Sequence, residues 1–285
     1  MVYVEHRQPV NRIAALTSVR NGAQFTLRWA AYYGAALGPE NLFIMVDGHD
    51  QHVPDMPGVN VLMQDYVPRP RLKGDKFRAG RASDLAADLL GRYDLVIGTD
   101  IDEFLIVDPA LETSLAHYLS SVTINGALSA IGIDVACNTR TEGPLNWSLP
   151  FLGQRQHGLI SDRYTKASIL SRPLRWGAGY HRVKGQCHKI DPNLFLFHFG
   201  SVDDVATQAR MADTDRTENG WEKHQHRRNA VPDEVSTAKV IEGDTRLALA
   251  HAELSKSRDI IAWNKPRALK SNRVIRIPGR FHGIV

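Results

Sequence analysis

The first hundred residues alternate between two hydrophobic periods, and this restricts the fold more than any other feature. Ile13-Ala-Ala-Leu-Thr-Ser18 and Leu42-Phe-Ile-Met-Val46 are short, nearly continuous apolar runs, the pattern of strands covered on both faces. Between them Phe25, Leu27, Trp29, Ala30 and Tyr33 recur at helical spacing, and Gly38-Pro39 stops that helix. Val59–Met63 reads as a third strand, Phe77–Leu90 as a second amphipathic helix and Asp94–Gly98 as a fourth strand. Strands separated by helices call for a mostly parallel, Rossmann-like α/β sheet with helices on both faces. In such sheets ligands bind beyond the carboxyl ends of the strands. Three of the four ends here carry polar or acidic residues: Thr17-Ser18, Asp47 and Asp100-Ile-Asp-Glu103.

The second half is less regular. Gly126–Asp134, Ser168–Leu170 and Leu194–His198 read as strands, and Thr217–Arg228 and Thr245–Leu254 as helices. The stretch from Asn138 to Thr165, with Pro144, Trp147 and Pro150, reads as one long loop, a length usually reserved for function. No repeat, linker or low-complexity segment interrupts the chain. At 285 residues, 43% hydrophobic, it is expected to fold as one domain (1–285), in three stretches: 1–125, 126–200 and a helical extension (201–285).

Thirty-five Lys+Arg against 31 Asp+Glu give a net charge of +4, too slight an excess for nucleic-acid binding. Cys137 and Cys187 match no disulfide framework or zinc motif and read as small buried hydrophobes. With no apolar run of about 20 residues and no secretory pattern at Met1–Arg7, a soluble, cytoplasmic protein is expected. Basic residues do gather at the end, from Lys256 to Arg280, interleaved with Ile260, Ile261, Trp263, Leu269, Val274 and Ile277. This stretch is either a solvated strap or a peripheral contact with anionic lipid at the inner membrane face.

The acidic cluster carries the chemistry. In extended backbone Asp100 and Asp102 share a side, about 6–7 Å apart at Cα, and their mutual repulsion would be relieved by a hard divalent cation. Such a cation would neutralise a diphosphate as its bond to a sugar breaks. The alternative is that Asp100 caps a turn and Glu103 is solvated.

Asp94-Leu-Val-Ile-Gly-Thr-Asp-Ile-Asp-Glu-Phe-Leu105 resembles the metal-binding segment of GT-A glycosyltransferases, in particular the family 2-like and family 92-like bacterial group whose acidic motif continues Glu-Phe. Thr17-Ser-Val-Arg-Asn21, Trp29, Tyr32-Tyr33-Gly34 and Leu42–Asp47 agree with it, as do Lys166–Pro173, Gly179-Tyr-His181 and Leu196-Phe-His198. Asn21-Gly22 stands where the family has Asn-Glu, and Gly48-His-Asp50 where it has an Asp-rich turn. The likeness covers roughly residues 12 to 200.

The resemblance implies a metal-dependent, inverting hexosyltransferase using Mn2+ or Mg2+, a nucleotide-sugar donor (UDP by family habit) and a glycan or glycolipid acceptor. By position, Thr17, Arg20 and Asp47 would hold the nucleotide, Asp100 the ribose or a metal-bound water, and Asp102 the metal. His198 and His181 compete to complete the metal shell, with His198 ahead; His181 would instead meet the diphosphate or the acceptor. Lys166, ahead of Arg172 and Lys184, would neutralise the diphosphate. Asp134 and Glu142 are both candidates for the base, and Trp147 and Trp176 are either sugar-stacking faces or core plugs. A zinc site from His181, Cys187, His188 and His198 is disfavoured by its irregular spacing. Two other readings stand beside this one: a sugar-nucleotide nucleotidyltransferase, which should carry a Gly-rich basic loop after its first strand, and a non-catalytic sugar- or lipid-surface-binding protein.

Overall fold

The computed structural model describes residues 11–203, 222–257, 264–271 and 273–285, with the side chains of 222–229 left aside. The alternating half folds as β1 (Ile13–Val19), α1 (Ala23–Leu37), β2 (Leu42–Asp47), β3 (Asn60–Gln64), α2 (Arg71–Leu89) and β4 (Leu95–Gly98). These strands lie in the order β3-β2-β1-β4, all parallel. Because neighbouring strand residues point to opposite faces, β1 serves two cores. Ile13 and Ala15 pack with Trp29 and Tyr33 of α1, whereas Ala14 and Leu16 pack with Ala82, Ala86 and Leu89 of α2. Helices therefore cover both faces, and the α/β class expected from the apolar runs holds.

Past β4 the sheet becomes mixed. The chain continues through β5 (Glu103–Val107), α3 (Leu115–Ser121), β6 (Ala127–Ala136), β7 (His157–Ile160), β8 (Ile169–Leu170) and β9 (Ile190–Ser201). It ends with α4 (Glu222–Thr237), β10 (Ile241–Glu242), α5 (Gly243–Leu254) and β11 (Val274–Arg276). β8 pairs antiparallel with both β4 and β6. β6 runs parallel to β9, which in turn pairs antiparallel with β5.

Several expectations change. α2 starts at Arg71 rather than at Phe77, because its first turns present Arg71, Asp75 and Arg78 to a cleft and show no apolar stripe. Residues 138–165 are not one loop: Phe151–Gln154 forms a helical turn, and His157–Ile160 a buried strand between β6 and β11. Trp147 and Trp176 are plugs rather than sugar platforms. Trp147 packs edge-on against Phe25 and Phe151, with both ring centroids at 5.1 Å; Trp176 is buried beneath Gly98 and donates to the Ala167 carbonyl at 2.7 Å. Cys137 is buried as expected, but Cys187 is exposed.

The described part of the basic carboxyl-terminal stretch is a strap. Leu269, Val274 and Ile277 are buried, and Arg273, Arg276 and Arg280 pair with Glu234, Glu242 and Asp108. Arg258, Ile260, Ile261 and Trp263 of that stretch, and Thr217–Trp221 of the helix expected before Arg228, lie outside the described residues. No described helix is long and apolar enough to cross a membrane.

Candidate functional site

The site begins with strand register. β5 places Glu103 opposite His198 of β9, and β6 places Asp134 opposite the same residue. In-register residues of adjacent strands share a face, so three titratable side chains line up across the sheet beside the turn that joins β4 to β5. That turn is not extended: the Glu103 amide donates to the Asp100 carbonyl at 3.0 Å. Asp100 and Asp102 consequently take different partners.

His198 is buried. Its Nδ1 lies 2.7 Å from Asp134 Oδ1 and its Nε2 lies 3.4 Å from Asp102 Oδ2, with the Tyr164 ring stacked on the imidazole at 3.9 Å. Burial works against the imidazolium, but the two carboxylates outweigh it and push the pKa up to about 9. Asp134 is thus engaged with the His198 ring.

Asp100 belongs to a second cluster. The buried Lys166 ammonium sits 2.6 Å from Asp100 Oδ2 and 2.6 Å from Glu103 Oε1, and Glu103 Oε2 accepts the Asp100 amide at 3.1 Å. Glu103 is fully buried, not solvated. Burial pushes its carboxyl up to about 7 against the pull of Lys166, while Asp100 and Glu103 hold the lysine firmly protonated despite its own burial. A lysine so committed is a counter-ion of the turn before it is a diphosphate ligand.

Both clusters open on a cleft of about 460 Å³ at the carboxyl ends of β1 and β4. Arg20, Asp100, Asp102, Lys166, His181 and His198 all line it. Arg20 is anchored by two 2.9 Å hydrogen bonds to Asp50 and lies 3.8 Å over the Tyr66 ring. His181 is held neutral, burial pulling it down to about 4, and its Nδ1 lies 2.8 Å from the Arg163 carbonyl. The segment carrying Tyr164 and Lys166 can sit this low only because Gly132 of β6 has no side chain; a Cβ there would meet the backbone of Tyr164 and Thr165.

The sequence candidates Thr17, Asp47, Asp134, Glu142, Arg172 and Lys184 are not brought to the cleft lining. Thr17 is fully buried with its hydroxyl unpartnered, and Ser18 and Val19 form the wall in its place. Asp47 contributes a backbone carbonyl to Arg20 at 2.8 Å. Glu142 is tied into its own loop, accepting the Asn138 and Gln156 amides at 3.0 and 2.9 Å and facing His157 at 3.0 Å.

Arg71, Asp75 and Arg78 on α2, Asp162 and Tyr164 before Lys166, and Lys265 line the cleft without having been singled out in the sequence. The i, i+4, i+7 spacing of the α2 trio was a legible polar stripe; the other three become neighbours only through tertiary structure. A second cavity, of about 360 Å³, lies at the amino ends of the strands around Arg12, Tyr93 and Arg92, and no carboxylate lines it.

No family model and no curated protein matches this chain. Among solved structures, the mannosyltransferase PcManGT from Pyrobaculum calidifontis, in complex with GDP-Man and Mn2+, is similar at 12% identity and a TM-score of 0.36, over 67% of this chain and 60% of that one. This chain thus spans about three fifths of that neighbour's length. Mannose-1-phosphate geranyltransferase from Thermus thermophilus is similar at 13% identity and a TM-score of 0.32, over 93% of this chain and 74% of that one. At such scores neither likeness bears on the chemistry of the cleft.

Proposed function

We propose that the chain is a metal-assisted glycosyltransferase that takes a hexose from a nucleotide-sugar donor, UDP-linked in the first instance, and passes it with inversion to a glycan or glycolipid. This reading rests on one arrangement: His198, held on Nδ1 by Asp134, presents Nε2 to Asp102 at the cleft wall. A carboxylate that fixes one imidazole nitrogen and frees the other for a metal is a recurrent support for metal ligands.

The donor set suits Mn2+ or Mg2+ in part. A separation of 3.4 Å between Nε2 and Oδ2 is close to the roughly 3 Å edge of an octahedral shell with bonds near 2.1 Å. Among the described residues no group of three or more His, Cys, Asp or Glu stands arranged to hold a metal ion. Asp102 and His198 would therefore hold the cation together with donor phosphate oxygens and water. When bound, the cation neutralises charge on the departing diphosphate.

The protein's own groups do the remainder. Asp134 fixes the His198 tautomer, and the stacked Tyr164 fixes the plane of its ring. Arg71 and Arg78, on the cleft wall beside Lys265, supply positive charge toward the diphosphate, the role the sequence had assigned to Lys166. With Asp134 engaged by His198 and Glu142 in its loop, Asp162 on the cleft wall is the carboxylate to test as base. The lipid- or sugar-binding alternative predicts no turnover.

Titration calorimetry with UDP-sugars and GDP-sugars, with and without Mn2+, tests the proposal. Mn2+-dependent binding and slow donor hydrolysis are expected, both lost in Asp102→Ala with the fold intact. Equal donor affinity in Asp102→Ala and the parent protein would overturn it.

A further inference from the structure

The described residues expose nine large hydrophobic side chains, and five of them, Met63, Tyr66, Val67, Leu72 and Phe77, fall within one short segment. Leu72 is 68% exposed and Val67 is 50% exposed. None of the five lines the cleft; Arg20 lies over the Tyr66 ring and Arg69 over that of Phe77, while Val67 and Leu72 are the most open.

Their setting is basic. α2 divides into three faces: Gly74, Ala79, Ala82 and Ala86 face the core, Arg71, Asp75 and Arg78 face the cleft, and Leu72, Lys73, Lys76, Phe77 and Arg81 face outward, all exposed. Lys73, Lys76 and Arg81 have no ion-pair partner among the described residues, and Asp75 is turned to Arg71 and Arg78 at 3.7 and 2.6 Å. Arg69 lies 4.0 Å over the Phe77 ring, which keeps a cation and an aromatic together at the surface. Apolar side chains projecting among unpaired lysines and arginines on one helix face form the composition of an interfacial helix, in which the apolar groups enter the acyl boundary and the cations meet anionic headgroups.

We propose that the outer face of α2, with the preceding segment 63–68, docks on an anionic lipid surface and brings the cleft mouth to that surface. Charge complementarity selects the occupant: a protein groove for Leu72 and Phe77 would have to bury the intervening Lys73 and Lys76, and Arg81 beside them, against acids, whereas headgroup phosphates meet them in water. This surface is separate from the carboxyl-terminal stretch, whose described apolar residues Leu269, Val274 and Ile277 are in the core. Under the glycosyltransferase reading, on which this last point alone rests, the acceptor is then lipid-linked.

Sedimentation of the full chain with phosphatidylcholine vesicles, with and without 30 mol% phosphatidylglycerol (an experimental choice set at about the anionic content that gives a strong surface potential), tests the proposal. Binding only to the anionic vesicles, weakened by salt, is expected. At about five-fold per surface cation, Lys73→Gln/Lys76→Gln/Arg81→Gln should lower binding roughly a hundred-fold, and Leu72→Ser/Val67→Ser should abolish salt-resistant binding. Both variants should retain the circular dichroism and Mn2+-dependent donor binding of the parent protein, since none of these residues lines the cleft. Equal binding to neutral vesicles, binding to single-stranded DNA but not to vesicles, or undiminished vesicle binding by the triple variant would overturn the proposal. Loss of donor binding by the parent protein would instead strike the glycosyltransferase reading and leave the docking result standing.

Discussion

Replacing Lys166 by Met keeps the length of a side chain that is 1% exposed and removes its charge. Asp100 loses little, because its carboxylate is 45% exposed and water can take the place of the ammonium. Glu103 has no such recourse: it is fully buried, and only the Asp100 amide remains to it. Removing one partner of a buried ion pair costs about 3–5 kcal/mol, or roughly 10 °C in Tm at about 2–4 °C per kcal/mol for a domain of this size.

Protonation limits the loss. The Glu103 carboxyl already sits at about 7, above its ordinary 4.5, and rises further without Lys166. A carboxyl raised in the folded state binds more protons folded than unfolded, so its effect on stability worsens as pH rises from about 4.5 through the folded value. Urea unfolding followed by tryptophan fluorescence should therefore show Lys166→Met losing more stability at pH 8 than at pH 5.5. Adding Glu103→Gln should recover part of the loss by leaving a neutral group. A Lys166→Met variant within about 1 kcal/mol of the parent at pH 8, or one whose deficit does not change with pH, would refute the counter-ion assignment.

Asp134→Asn should weaken Mn2+-dependent nucleotide binding by about 10–100-fold, as loss of a carboxylate behind a metal-ligating histidine does, and should also lower Tm, since it removes one partner of a buried pair; unaltered calorimetric affinity would refute the orienting role. Gly132→Ala should cost about 1–3 kcal/mol of stability by overpacking and lower donor affinity as Tyr164 and Lys166 are displaced, whereas Gly143→Ala, which meets nothing within 4 Å, should leave both thermal unfolding and binding unchanged.

The amino-terminal half was legible because its strands are buried on both faces. Leu42–Val46 and Asp94–Gly98 could only be strands, and their carboxyl ends marked where the cleft would be. Periodicity failed where burial and polarity part company. The first turns of α2 carry Arg71, Asp75 and Arg78 toward the cleft and hide the helix from an apolar count. Glu103 reads as a solvated acid in sequence but is the fully buried first residue of β5. The meeting of Asp134 with His198 depends on register between β6 and β9, and that of Lys166 with Glu103 on the close seating of the 164–166 segment over Gly132; no local pattern encodes either. His198 and Lys166 were found through family resemblance; Tyr164 and Asp162 had no signal of their own.

The acidic motif read as a single metal clamp is two electrostatic units that share a turn. Asp100 and Glu103 enclose Lys166, and Asp102 and Asp134 enclose His198. Each unit sets two carboxylates around one cation, in a cleft that Arg71, Arg78 and Lys265 also line. The first unit is locked, its lysine buried and fully charged, and it holds the turn rigid. In the second, the partner is an imidazole whose proton is kept only by the neighbouring carboxylates, overcoming burial. Under the proposed function, Asp102 and His198 Nε2 would hold the cation while Asp134 stays on Nδ1. On that reading the two units are distinguished by binding: changes at Lys166 should register chiefly in stability, and changes at Asp134 in stability and in metal-dependent binding together.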